Sequence, residues 1–399
     1  MHNRRDFLKR TGLLGTAAVL SQAVLSKDAD GFAAEEISGE PPKAYTLSFE
    51  NVLRGNVPPK REITIPDVGE YRVLKGDFHI HTLFSDGTLW PQERVNEAVG
   101  NGLDVIAITD HIEYRPHLGG SGVKLRDQNE DYDIAYNLAK PVADRENLLL
   151  VRGTEITKMT MPPGHFNVLF HRETGPIAAE VNDYRMMLEA AVKQGAFLLW
   201  NHPGWQAPTN GGIENGAPIL FTEVHEKLYQ DGLIYGVECC NHYEYYPNVC
   251  DWCEEKELAI FANSDIHRSE FDTYGVRNTK RPITLILAKE RTLDSVKEAF
   301  FAGRTIAWFM DRIVGREKFV RPLFEASVSM ERKGERLVCT NKSDLPVHLE
   351  WNKTVVVVPQ KGTAELQADE HPIFVANWFI GTDKPLRIIP MFDPPVLRR

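Results

Sequence analysis

From residue 71 onward, short apolar runs alternate with amphipathic stretches. The runs at 71–79, 105–109, 148–151, 166–170, 197–200, 234–238 and 259–263 have the length and composition of strands. Between them, 91–101, 132–145, 179–194, 248–256 and 293–302 read as helices, with Pro91 at the first turn of its own. Repeated strand and helix predicts an α/β fold built on a parallel sheet, most simply a closed or nearly closed barrel of about seven units. From about residue 321 the pattern changes to strand-like pieces at 337–340, 347–351, 354–358 and 373–378, parted by turn residues. This predicts a small C-terminal all-β domain. Ahead of the barrel, 50–66 is polar and contains prolines, and is expected to lie over the surface.

Length supports a division of the chain, because single cores stop growing near 250–300 residues and this chain has 399. The expected segments are a processing segment at 1–35, an N-terminal extension at 36–69, the barrel at 70–320 and the β domain at 321–399. Within the first, Arg4-Arg5-Asp6-Phe7-Leu8-Lys9 is followed by an Ala- and Leu-rich run over 11–25, and Ala23, Ala33 and Ala34 offer small-residue cleavage sites. The pattern resembles a twin-arginine (Tat) signal, which addresses folded, cofactor-loaded proteins to the bacterial export machinery. That resemblance implies a transient Tat partner and a periplasmic location; an amphipathic helix beginning with two arginines is the alternative. Beyond it no stretch approaches the roughly 20 apolar residues of a membrane span, so no stable span is expected after processing.

The formal charge of −10 argues against nucleic acid as a partner, since phosphate-backbone binding needs clustered Lys and Arg. An anionic substrate would need local help. The five cysteines are an odd number, and Cys250-Asp251-Trp252-Cys253 lacks the second pair a four-ligand zinc site requires. They are expected to be buried thiols without chemistry.

The chemistry lies at the strand ends. In His79-Ile80-His81 the period of two sends both imidazoles to one face, where a single metal can take both. Asp86 follows in the turn sequence Ser85-Asp86-Gly87. Then come Thr109-Asp110-His111, Gly153-Thr154-Glu155, Gly164-His165, Asn201-His202 and Ser264-Asp265-Ile266-His267. Most follow a short apolar strand, and in a parallel barrel the C-terminal strand ends converge on one face. Singly, His165 or His202 would read as a structural histidine, Asp86 as a turn residue and Glu155 as a helix cap; together they point to a metal centre.

These motifs resemble the four-motif pattern of the PHP (polymerase and histidinol phosphatase) family over about residues 70–310. The resemblance implies a distorted (β/α)7 barrel with a trinuclear centre of two to three divalent ions per chain. It implies one metal held by His79, His81, Glu155 and Asp265, with Glu155 bridging to a second held also by His165 and His202. Asp86, His111 and His267 would hold the third. His171 or His225 could compete with His165, because the loop before it is long. The Tat-like segment with a β-rich C-terminal domain is similar to the phosphodiesterase branch sometimes called the Sb-PDE type.

Ions of this kind acidify a bridging water, so that hydroxide is available near neutral pH, and neutralise phosphate oxygens. Manganese, zinc and iron all suit the ligands. Beside Asp265, two further catalytic candidates follow: Arg268 as a fork for phosphate oxygens, and His242 as proton donor to the leaving oxygen. A solvated arginine and a structural histidine are the plain alternatives, and Arg304 is a weaker anion-binding candidate. Trp205, Tyr243, Tyr245, Tyr246 and Trp308 could wall an organic ester group, or pack the core. The expected activity is hydrolysis of a small organic phosphodiester. The alternatives are a histidinol-phosphatase-like phosphomonoesterase with the same site, and a non-catalytic metal- or ligand-binding module.

Overall fold

The computed structural model describes residues 61–116, 131–157, 162–204, 219–367 and 371–388; the expected export signal at 1–35 and Trp205 lie outside them. All described residues belong to one compact unit. The strands are β1 (Arg72–Asp77), β2 (Val105–Ile108), β3 (Leu149–Ile156), β4 (Phe166–Leu169), β5 (Phe197–Trp200), β6 (Gly236–Asn241), β7 (Glu244–Tyr245), β8 (Ala259–Asn263), β9 (Ile283–Ala288), β10 (Thr305–Phe309) and β11 (Arg312–Gly315). Strands β2, β4, β5, β6, β8, β9 and β10 are buried along their whole length, as expected of a sheet covered on both faces.

The sheet is mixed. Strands β1, β2 and β3 are parallel, as are β5, β6 and β8. Strand β4 runs antiparallel to both β3 and β5, and β9 antiparallel to β1 and β10. Only nine residues separate β3 from β4, fewer than the dozen or so that a parallel crossover needs. The free edge of β8 is met by threonine hydroxyls: Ile260 donates to Thr305 Oγ1 and Ala262 to Thr284 Oγ1, each at 3.0 Å. No main-chain ladder joins β8 to β9 or β10 among the described residues. The expected parallel sheet is therefore corrected to a mixed one within an α/β fold. Its floor is an aromatic cluster in which Phe78 and Phe261 each meet Phe300 edge-on at 4.8 Å.

The helix expected over 179–194 is two helices, Gly175–Ala178 and Tyr184–Lys193; Asp183 starts the second by accepting from the amides of Arg185 and Met186. Helix Glu223–Gln230 was not expected. At the C-terminal boundary, helix Glu317–Ser327 spans residues 320 and 321, burying Val320, Leu323 and Phe324 at helical spacing. All later described elements are strands. Strands β12 (Val328–Lys333), β13 (Arg336–Asn341) and β16 (Thr363–Gln367) form a small sheet, whereas β14 (Val347–Trp351), β15 (Thr354–Val358), β17 (Ile373–Phe379) and β18 (Pro385–Ile388) extend the main one through β17 on β11. Residues 61–69 do not simply lie over the surface: Ile63 and Val68 are buried, and Thr64 and Asp344 exchange hydrogen bonds.

Candidate metal centre

Because β1, β2, β3, β5, β6 and β8 point one way, their C-terminal ends share a mouth. His79 and His81 follow β1, His111 follows β2, Glu155 lies near the end of β3, His202 follows β5, and Asp265 and His267 follow β8. His165 precedes its strand, but β4 is antiparallel, so its start reaches the same mouth. The turn with Asp86 folds back over His81; a Cβ on Gly87 would stand 2.6 Å from the main chain of His81, so only glycine closes it.

All nine expected ligands come together, in four groups whose ligand atoms lie within 4.8 Å of one another. These are His79, His81 and Glu155; His79, His202 and Asp265; Glu155, His165 and His202; and His81, Asp86, His111 and His267. Nε2 of His79 stands 3.5 Å from Glu155 Oε2 and 3.2 Å from Asp265 Oδ1; for Nε2 of His81 the distances are 3.4 and 3.1 Å. These separations match the edges of a polyhedron with metal–ligand bonds of about 2.0–2.2 Å. Both nitrogens are buried without a hydrogen-bond partner. The residues present fit metal ions.

Supporting contacts set the ring orientations, as in known metal sites. His79 Nδ1 faces Glu238 Oε1 at 2.8 Å, and His267 Nδ1 donates to the Asp265 carbonyl at 2.8 Å. Asn201 donates to Glu155 Oε1 at 2.9 Å. Asp110, in the motif with His111, is not a ligand; it accepts from Thr82 N at 2.7 Å and Ser85 Oγ at 2.6 Å, fixing the loop after His81. His202 (φ 25°), His242 (φ 52°) and Asp265 (φ 49°) all adopt left-handed backbone, a strain of roughly 1–3 kcal/mol each that concentrates at functional sites.

Burial works against charge on every group here, yet the mixture separates them. Burial, with His267 and His111 nearby, pushes His81 down to about 4. Against burial, Glu155 and Asp86 raise His111 to about 10. Asp265 and Glu155 stay well below the usual carboxylate range because, despite burial, histidines surround them.

Two clefts open on the centre. One, of about 430 Å³, is bordered by His242, Tyr243, Arg268 and Arg277; the other, of about 460 Å³, by Tyr114, Thr157 and His165. They share His202, Asp265 and His267. Arg268 and His242 both border the first cleft. Arg304 does not: it is buried, with its guanidinium on Glu298 and the Leu287 carbonyl. His171 bonds Thr174, and His225 bonds Thr222 and the Pro163 carbonyl, so neither displaces His165. Of the aromatic candidates Tyr243 borders the first cleft, whereas Tyr246 is buried against Glu244, Trp308 donates to the Met310 carbonyl and Tyr245 packs beneath Arg312. All five cysteines are free and buried.

Glu238 was missed. Its signal was a lone carboxylate in the otherwise uncharged strand Gly236–Asn241, where every position is buried. Arg277 was missed too, since its spacing from the motifs carries no signal.

A crystal structure of a two-domain protein from Bacteroides vulgatus ATCC 8482, containing a predicted PHP-like metal-dependent phosphoesterase, superimposes with a TM-score of 0.73 at 34% identity, covering 82% of this chain and 98% of that one. The chain belongs to the PHP-like metal-dependent phosphoesterases. Among curated proteins, DNA polymerase/3'-5' exonuclease PolX of Bacillus subtilis (strain 168) is 32% identical over 84 residues, 21% of this chain and 14% of that enzyme. No protein-family model matches. As a PHP-like phosphoesterase the protein is a metal-dependent hydrolase of phosphoester bonds, and the His, Asp and Glu groups above are its candidate metal ligands.

Proposed function

We infer that the protein hydrolyses a small organic phosphodiester at a centre of two to three divalent ions, and that it does so in the periplasm after Tat export. The observation that carries the diester reading is the pair of clefts meeting at His202, Asp265 and His267. A phosphate seated at that shared edge has room on both sides for an ester arm. Bound by the four ligand groups, zinc, manganese or iron would supply Lewis acidity, acidifying water and neutralising phosphate charge.

The remaining work falls to the chain. Arg268 is exposed in the first cleft and presents a planar fork to two phosphate oxygens. His242 borders the same cleft; its pKa is lowered, chiefly by burial, which works against protonating the leaving oxygen and leaves the neutral ring the role of hydrogen-bonding to it. Support for the export reading comes from the sequence of residues 4–25. No helix among the described residues is long and apolar enough to cross a membrane.

The test is elemental analysis of protein purified without chelator, alongside hydrolysis of matched nitrophenyl mono- and diesters after supply of manganese or zinc. Two to three metals per chain with faster diester turnover is the expected result. Faster monoester turnover would move the assignment to a phosphomonoesterase, and bound metal without turnover of either would favour a binding module.

A further inference from the structure

The first cleft holds one guanidinium, that of Arg277, that the hydrolytic reading does not use. Its carboxylates make contacts of their own and pair with neither of its arginines: Asp265 faces the histidines, while Asp272 and Glu244 keep their charge and accept from Ser269 Oγ at 2.6 Å and from the Tyr246 hydroxyl. Its two guanidiniums, Arg268 and Arg277, have no carboxylate partner among the described residues. Among the described residues Arg94, Arg152, Arg281, Arg304 and Arg316, by contrast, are all ion-paired. In a chain of net charge −10, the guanidiniums of Arg268 and Arg277 border a single cleft.

Arg277 is also held in place. Its guanidinium carbon lies 4.6 Å from the Tyr243 ring centroid. Tyr243 is fixed in turn, because its hydroxyl donates to the Thr273 carbonyl and its ring meets His242 at 4.3 Å and Tyr274 at 5.4 Å. A guanidinium stacked on a fixed ring keeps its N–H edge free for an anion at little further entropic cost. With Arg268 assigned to the scissile phosphate, Arg277 is left to meet another negative group.

We propose that Arg277 is a specificity-determining residue, and that the substrate arm entering the Tyr243 cleft carries its own anionic group, a carboxylate or a second phosphoryl group. This rests on the phosphodiester reading above. It predicts an asymmetric diester, with the charged arm beside Arg277 and the other arm in the Tyr114 cleft.

The test uses metal-loaded full-length protein and three 4-nitrophenyl phosphodiesters whose second arm is butyl, 3-carboxypropyl or 3-phosphonopropyl. Wild type should favour both anionic arms over butyl in kcat/KM by about 10- to 100-fold, mostly through KM, the range of one charge-assisted contact. In Arg277→Gln that ratio should collapse towards one. Anionic arms no better than butyl, or a ratio unchanged in the variant, would overturn the proposal while leaving diester hydrolysis standing. A preference confined to one anionic arm would identify which group the cleft takes. If none of the three is turned over, the diester reading fails; calorimetric binding of the same compounds then decides on Arg277, with tighter binding of the anionic arms that Arg277→Gln abolishes sustaining its role and equal binding removing it.

Discussion

Glu238 Oε1 lies 2.8 Å from Nδ1 of His79, and both side chains are wholly buried. The same carboxylate accepts from the amide of His202 at 2.8 Å, from Asn241 Nδ2 at 2.8 Å and from Asn263 Nδ2 at 2.9 Å. One residue that touches no metal position therefore sets the ring of one ligand and the left-handed backbone of another. Partners of this kind are worth about 10- to 100-fold in metal affinity. Glu238→Gln, which keeps size and one carbonyl acceptor, is expected to weaken metal binding by that factor, read by competition against a chelator. Unchanged affinity would show that His79 and His202 are placed without it.

Asp265 stands between His79 and His81 and belongs to the edge shared by both clefts. Asparagine in its place keeps the shape and removes the charge. Metal Lewis acidity contributes several kcal/mol to transition-state stabilisation, so Asp265→Asn should lower kcat/KM by roughly a thousandfold while the far-ultraviolet circular dichroism spectrum stays that of wild type. Near-normal turnover in the variant would refute the assigned site.

Much of this centre was legible because its signal is local. The HxH of His79 and His81 needs only the period of a strand, Asp86 stands in a turn sequence, and His111, Glu155, His202, Asp265 and His267 each sit at or just after the end of a short strand. His165 was harder, since its place depends on β4 running backwards, and strand direction is decided by partners far along the chain. Glu238 and Arg277 were hidden for the same reason: each matters through residues that only the tertiary fold brings near, His79 and His202 in one case and Tyr243 in the other. The all-parallel sheet failed at the step from strands to their pairing, and the helix Glu317–Ser327 was concealed by its internal Pro322.

Away from the ligands, His171 and His225 are 3% and 1% exposed, and burial pushes the pKa of each down to about 4. A histidine that stays neutral in the folded state but accepts a proton near 6.5 when unfolded contributes stability that is complete above pH 6.5. That contribution is lost as pH falls towards 4, because the unfolded chain binds the extra proton first. Each should add a slope of about 1.4 kcal/mol per pH unit across that window. Unfolding free energy measured between pH 7 and 4 is expected to fall, and less steeply in His171→Gln; parallel curves would mean that His171 does not titrate with folding.

A buried ion pair forms a strut beneath the site. Arg281 Nη2 lies 2.5 Å from Asp77 Oδ2, with side chains 3% and 0% exposed, and Asp77 also accepts from the amide of Ser264 at 3.1 Å and from its hydroxyl at 2.5 Å. Since Ser264 precedes Asp265, this buried pair anchors the segment that carries two ligands. Removing one partner strands the other charge away from water, at a cost of about 3–5 kcal/mol, whereas removing both charges is far less harmful. Arg281→Met should therefore lower the melting temperature sharply and weaken metal binding through the displaced Ser264 segment. Asp77→Asn combined with Arg281→Met should recover most of the melting temperature, because the stranded carboxylate is gone and asparagine still accepts from the Ser264 amide. A double variant whose loss equals the sum of the two single losses would show that the residues act independently and that no coupled pair supports the site.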